Sequence, residues 1–284
     1  MRHEEAILAM VGAAAIAGTA HAQLSPPNGA GVAMGHVHYL VRDVAANKAF
    51  WQELGGRPVL LGTTEGVKFP DVIVLLRQGE PEAGSEGSVV NHVAFRVQSL
   101  QAIEERGFEV HYNEQFPGVA YVYSPEGERI ELFDDTLATN LWFTVDGGGA
   151  DATAERHNRK IEVPIIAHHI HLYVPEGDVA AAKDWYAATF GGVRGMRWRY
   201  DAVDFPGINL KFSASPSALA PTRGRRLDHI GFEVENLEAF CRALEARGVK
   251  FDRPYAKLPS GLGLAFLTDP WGTYIELTEG LRDL

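Results

Sequence analysis

Four short apolar runs in this chain each open with histidine: His36-Val37-His38-Tyr39-Leu40-Val41, His92-Val93-Ala94-Phe95-Arg96-Val97, His169-Ile170-His171-Leu172-Tyr173-Val174 and His229-Ile230-Gly231-Phe232-Glu233-Val234. An imidazole at the head of a run that otherwise packs a sheet needs a polar partner, and four of them suggest that the histidines meet one another. Two carboxylates lie in similar surroundings, in Arg129-Ile130-Glu131-Leu132-Phe133 and Tyr274-Ile275-Glu276-Leu277-Thr278, each after a proline-glycine turn. A buried glutamate costs several kcal/mol unless it is paired, hydrogen-bonded or metal-bound. Taken in chain order, the N-terminal half offers His36, His92 and Glu131, and the C-terminal half offers His169, His229 and Glu276. Each set could hold a divalent metal.

Two further histidines follow proposed ligands at a spacing of two. His38 and His171 therefore share a strand face with His36 and His169, whereas the second and fourth runs carry Ala94 and Gly231 there. Such a residue could be a fourth ligand, a proton carrier, an orienting partner or a polar wall with no chemistry. His168 points to the other face and is expected to be exposed or satisfied.

The elements that position these groups repeat with them. Each run is rich in β-formers and reads as a strand. A helix pattern follows each one, over Val44 to Leu54, Leu100 to Arg106, Val179 to Phe190 and Leu237 to Arg247, and glycine stops every helix. Short strand-like runs come next, among them Ala120 to Tyr123, Ile130 to Phe133, Leu264 to Leu267 and Tyr274 to Leu277. The unit is strand, helix, then about three strands, used four times. Modules one and two fill residues 34–138 as an N-terminal domain, and modules three and four fill 165–280 as a C-terminal domain. Residues 139–164, glycine-rich and then charged, read as a linker. Trp51 and Trp185, on equivalent helices, are expected in the core, as is Cys241, while Arg223, Arg225 and Arg226 read as a solvated loop.

The chain of 284 residues has a net charge of -11, with 46% hydrophobic and 22% charged residues. That is ordinary globular composition without the basic footprint of a nucleic-acid binder. A single cysteine excludes an intramolecular disulfide. Residues 1–22 read as a signal peptide: Arg2, an alanine-rich apolar run, then Ala20-His21-Ala22, with cleavage after Ala22. The run is too short to span a membrane, so the mature chain is expected to have no integral membrane segment and to be periplasmic or secreted.

The fourfold phrase, with its helices and its two late glutamates, resembles the vicinal oxygen chelate superfamily, which includes glyoxalases, bleomycin-resistance proteins and extradiol dioxygenases. The resemblance covers nearly all of the chain after residue 34. It implies an α+β fold of βαβββ modules, paired into two cup-shaped mixed sheets with helices on the outer face and a metal on each inner face. It also implies ligands at His36, His92, Glu131, His169, His229 and Glu276. Glyoxalase-type lyases use a carboxylate from both modules of a pair, but Ile73 and Asn209 occupy the corresponding places here. The remaining set of two histidines and one carboxylate favours Fe(II) or Mn(II), with Zn, Ni or Co as alternatives. Family ring-cleaving enzymes tend to carry a tyrosine three residues before an acidic-proline turn, with a histidine upstream. Tyr121 precedes Ser124-Pro125 at that spacing, with His111 upstream, whereas Phe266 precedes Asp269-Pro270.

The expected function is a metal-dependent, dioxygenase-like enzyme, monomeric or homodimeric, acting on a small molecule held through adjacent oxygens. His38, His171 or Tyr121 would move protons. The alternatives are a glyoxalase-like lyase, isomerase or epimerase working through an enediolate, and a non-catalytic binding protein of the resistance type.

Overall fold

The computed structural model describes residues 23–138, 142–282 and 284. The expected leader falls outside them. Four βαβββ modules follow in order. The first is β1 (Val32–Val41), α1 (Val44–Leu54), β2 (Arg57–Leu61), β3 (Thr64–Phe69) and β4 (Val72–Gln78). The second is β5 (Val90–Val97), α2 (Leu100–Glu104), β6 (His111–Tyr112), β7 (Val119–Tyr123) and β8 (Arg129–Asp134). After β9 (Phe143–Val145), a 3-10 turn and α3 (Ala152–His157), the third module is β10 (Ile165–Pro175), α4 (Val179–Phe190), β11 (Val193–Arg197), β12 (Tyr200–Phe205) and β13 (Ile208–Ser215). The fourth is β14 (Leu227–Val234), α5 (Leu237–Ala246), β15 (Arg253–Lys257), β16 (Gly263–Thr268) and β17 (Tyr274–Glu279). The fold is α+β, with two large mixed sheets.

The strand pairing crosses the halves of the chain. One sheet runs β15-β16-β17-β14-β1-β4-β3-β2 and the other β6-β7-β8-β5-β10-β13-β12-β11-β9. Module one thus shares a sheet with module four, and module two with module three. The expectation that each half builds its own sheet is corrected. In both sheets the central pair is antiparallel, β1 with β14 and β10 with β5, and each central strand is flanked by a parallel neighbour.

Alternation divides each central strand between two environments. Val37, Tyr39 and Val41 of β1, like Ile170, Leu172 and Val174 of β10, belong to one large core cluster beneath both sheets. There the halves of the chain meet side chain to side chain. Trp51 and Phe69 lie 5.8 and 4.9 Å from Phe95 between ring centroids, and Phe190 and Phe205 lie 4.8 and 5.2 Å from Phe232. Trp51 is buried and Trp185 packs at the edge of the same core. The doubled glycines after α1 and α4 divide two tasks. Gly55 (φ 124°) and Gly191 (φ 72°) take backbone angles that favour glycine, while a Cβ on Gly56 or Gly192 would lie 2.3 Å from Val67 or Val203.

Two loop expectations change. The 139–164 segment is not a bare linker: β9 pairs with β11 at the sheet edge, and Phe143 and Ala154 form a small buried cluster with Ala202. Arg226 is not solvated but pairs with Glu128 at 3.3 Å, tying β14 to the turn before β8. Cys241 is buried on α5, and its thiol is pushed up to about 11 by burial and then by Glu245. It should therefore resist a disulfide reagent at neutral pH until the protein is unfolded; prompt reaction of the native protein would contradict this packing.

Crossed pairing has a direct consequence. A fragment of residues 23–138 would leave β1 and β5 as bare, apolar central edges. It is expected to associate or aggregate, as read by light scattering after gel filtration. A cooperatively folded monomer would contradict the strand order.

Candidate metal centre and its counterpart

Register across the sheets sets two rows of side chains on each inner face. In the β1/β14 site, one row is Glu276 (β17), Gly231 (β14), His36 (β1) and Ile73 (β4), and the next is His229, His38 and Leu75. In the β5/β10 site the matching rows are Glu131, Ala94, His169 and Asn209, then His92, His171 and Lys211. All six expected ligands lie in these two clusters, but in a different grouping. His36 joins His229 and Glu276, and His169 joins His92 and Glu131. The sets His36/His92/Glu131 and His169/His229/Glu276 do not form.

The β1/β14 site is the tighter of the two. His36 Nε2 and His229 Nε2 each lie 2.9 Å from the same oxygen, Glu276 Oε2, and His38 Nδ1 lies 3.0 Å from His229 Nε2. One potential ligand atom from each of these four residues falls within 4.8 Å of the others. His229 Nδ1 is 2.6 Å from Asp228 Oδ1 and donates to it, since a carboxylate only accepts. The hydrogen bond to Glu276 therefore uses a second proton, on Nε2 of the charged ring, and it is this nitrogen that a metal could take in the proton's place. Burial opposes charge on Glu276, yet the hydrogen bonds from His229 and His36 outweigh it and hold its pKa well below the ordinary carboxylate range. Burial likewise opposes charge on His229, but hydrogen bonds to Asp228 and Glu276 prevail and raise its pKa. Burial, and then the His229 charge, pushes His38 well below the usual imidazole value. His36 Nδ1 and His38 Nε2 are buried without partners.

Gly231 makes this convergence possible. It lies between Glu276 and His36 in the row, and a Cβ there would be 2.1 Å from His36 Cε1. Around the cluster the inner face is apolar. Ile73 and Leu75 pack with Leu24 and Leu281 on one side, and Phe266 and Tyr274 lie 5.6 and 5.7 Å from His229 on the other.

The β5/β10 site is looser and carries more positive charge. His92 Nε2 is 3.2 Å and His169 Nε2 is 3.3 Å from Glu131 Oε2, and Ala94 stands where the other site has Gly231. His92, His169 and His171 satisfy the same 4.8 Å spacing without Glu131. Asn91 replaces Asp228 as the partner of the His92 ring, at 2.8 Å. Lys211 is buried beside His171 with its Nζ 4.2 Å above the Tyr200 ring, and burial lowers its pKa to about 8. Burial lowers the pKa of His92, and burial followed by the Lys211 charge lowers those of His169 and His171 further. His171 Nε2 is held by Ser213 at 2.8 Å. Tyr121 does face Glu131 across the β7–β8 pair, and its hydroxyl is 3.2 Å from Asn113 Nδ2. The matching position by Glu276 is Phe266. His111 is half-exposed on β6, 3.7 Å from Glu109. His168 is buried and satisfied, 2.9 Å from His169 Nδ1 and 3.2 Å from Arg197.

Sequence reasoning missed Gly231, Asp228, Lys211 and the His168–Arg197 pair. Asp-His at 228–229 against Asn-His at 91–92, and a lysine inside the apolar run Ile208–Phe212, were the available signals.

Comparisons with known proteins place this geometry. Residues 166–277 match the model of the Glyoxalase/Bleomycin resistance protein/Dioxygenase superfamily. Glyoxalase I from Zea mays superposes with a TM-score of 0.59 at 15% identity, covering 87% of this chain and 92% of that one. A Bacillus subtilis protein described as a "putative dioxygenase" gives 0.60 at 14%, covering 91% and 86%. At such identities the likeness is one of fold. No curated protein sequence matches the chain.

Replacing Gly231 with alanine should displace the His36 ring and destabilise the protein by about 1–3 kcal/mol, as overpacking of a filled site does. Denaturant unfolding of the Gly231→Ala variant measures it. A change below about 0.5 kcal/mol, within the range of ordinary surface substitutions, would mean that the ring has room to move.

Proposed function

We propose that this chain, a member of the glyoxalase/bleomycin resistance protein/dioxygenase superfamily, is a metal-dependent enzyme whose reaction centre is the β1/β14 site. One observation carries the reading: two imidazole nitrogens, of His36 and His229, converge on a single carboxylate oxygen in a buried, largely apolar surround, with His38 3.0 Å from the second of them. Donor atoms aimed at one point repel unless a proton or a metal cation lies among them, and a cation can replace the protons that now bridge them. The His36, His229 and Glu276 donor set fits Fe(II) or Mn(II), and also Zn, Ni or Co. His38 lies close enough to join it. Such a metal would supply Lewis acidity toward the adjacent oxygens of a small substrate and, as iron, affinity for O₂.

The chain's own residues have definable tasks. Asp228 fixes the His229 tautomer through the Nδ1 proton, so that Nε2 faces inward. Glu276 contributes the negative charge of the set. Ile73, Leu75, Phe266 and Tyr274 limit water around it and offer an apolar wall to the body of a substrate. His38 carries an unpartnered Nε2, which can take or give a proton beside the set.

The favoured reaction is dioxygenase-like, on a molecule chelated through adjacent oxygens. Phe266, in the position where the other site has Tyr121, supports a second reading. With His38, rather than a tyrosine, beside the set, a glyoxalase-like isomerisation or lyase reaction through an enediolate also suits the site. Anaerobic purification followed by metal analysis and oxygen-uptake assays on catechols separates them. Iron with oxygen consumption supports the first, whereas zinc or nickel with oxygen-independent turnover of hydroxycarbonyls supports the second. A protein that takes up no metal even on reconstitution would end both.

Asp228→Asn keeps the shape of the site and removes the orienting charge. It should weaken metal binding by about 10–100-fold, the usual cost of losing such a partner. Unchanged affinity in a metal titration would remove Asp228 from the mechanism.

A further inference from the structure

The β5/β10 site has the same frame as the metal centre, but its histidines are wired differently. Arg197 Nη1 lies 3.2 Å from His168 Nε2, and a guanidinium can only donate. His168 Nε2 therefore accepts, and the proton of this neutral ring lies on Nδ1. That Nδ1 is 2.9 Å from His169 Nδ1, which must accept in turn. The remaining proton of His169 is then on Nε2, which lies 3.3 Å from Glu131 Oε2 without the alignment of a hydrogen bond. A ring nitrogen that carries a proton has no lone pair for a metal. In the β1/β14 site nothing fixes His36 this way: Gly35 stands at the strand irregularity where β10 has His168, and His36 Nδ1 has no partner.

Charge points the same way. The two rows of the β1/β14 site end in Ile73 and Leu75, and His229 is backed by the Asp228 carboxylate. In the β5/β10 site the matching residues are Asn209, Lys211 and Asn91. Lys211 is more than nine-tenths buried, directly across from His171, and its ammonium makes no hydrogen bond among the described residues. Arg129, two residues before Glu131 on the same strand, lies over the Tyr121 ring at 5.3 Å. Arg129 is paired with Glu86 at 3.1 Å, which leaves Glu131 as the carboxylate nearest the Lys211 ammonium, and Tyr173 and Tyr200 lie 4.7 and 5.6 Å from His171.

We propose that the β5/β10 site is not a metal centre but a binding site for a small aromatic carboxylate, whose charge is met by Lys211 and whose ring lies among Tyr121, Tyr173 and Tyr200. It would be a second ligand site on the same chain, distinct in chemistry from the first.

The test uses the whole chain. Mn(II) titration followed by electron paramagnetic resonance should show one tight equivalent, retained in His92→Ala and lost in His36→Ala. Benzoate, titrated calorimetrically into metal-free protein, should bind in wild type and in His36→Ala, and at least tenfold more weakly in Lys211→Met. Lys211→Arg should restore most of that loss, and melting curves confirm that each variant is folded. Two Mn(II) equivalents of similar affinity, loss of an equivalent in His92→Ala, or benzoate binding that is absent or indifferent to Lys211→Met would each overturn the proposal. Failure of wild type to bind any Mn(II) would count against the function proposed above, and the benzoate arm would still decide this one.

Discussion

The antiparallel registers of β1 on β14 and of β10 on β5 are the constraint from which the rest follows. A one-residue slip in a strand turns every side chain to the opposite face. In β1 such a slip would send Val37 and Tyr39 to the inner face and His36 and His38 into the apolar core. The core makes that prohibitive, because burying an unpaired imidazole while exposing a filled set of aliphatic side chains loses on both counts. Packing beneath the sheets therefore fixes the chemistry above them. Gly231 is placed between Glu276 and His36 by this register alone, and its missing side chain lets the ring close on the carboxylate.

Within that fixed frame, electrostatics decides what each inner face can hold. Glu276 is buried and yet holds its proton less readily than an ordinary carboxylate, so the favourable contacts with two imidazoles exceed the cost of removing the charge from water. That balance requires positive charge on or among the rings. At Glu131 the same opposition is resolved differently: His92, Lys211 and Arg129 all bear on it, and positive charge is already built into the walls. A dication would meet repulsion there that it does not meet among Ile73, Leu75 and Asp228.

The modules, the helix stops and the six histidines and glutamates that meet in the two clusters were legible in the sequence, because imidazoles and carboxylates are conspicuous in apolar β runs. It could not reveal which modules pair. All four opening strands carry the same pattern, so pairing one with two or one with four satisfies alternation equally well. Long-range packing, such as Phe95 against Trp51 and Phe69, settles the matter and leaves no local trace. The inequality of the sites was partly visible, in Tyr121 against Phe266. Its stronger causes were not, since the His168–Arg197 relay depends on an arginine of β11 reaching back over two intervening strands to β10's bulge and Lys211 takes its meaning only from the register with His171.

The separation of faces also explains how two unlike sites can share one fold. The residues that distinguish them, Gly231 against Ala94, Asp228 against Asn91 and Leu75 against Lys211, lie outside the large core cluster that joins the sheets. Exchanging them alters donor atoms, room and charge on one inner face while leaving the outer-face contacts in place. The crossed pairing adds a second effect. Each half of the chain contributes strands to both sheets, so neither site can be lost by unfolding one half without disrupting the other. A site that holds no metal would still be needed as structure, and its inner face is then free to acquire a ligand of opposite charge.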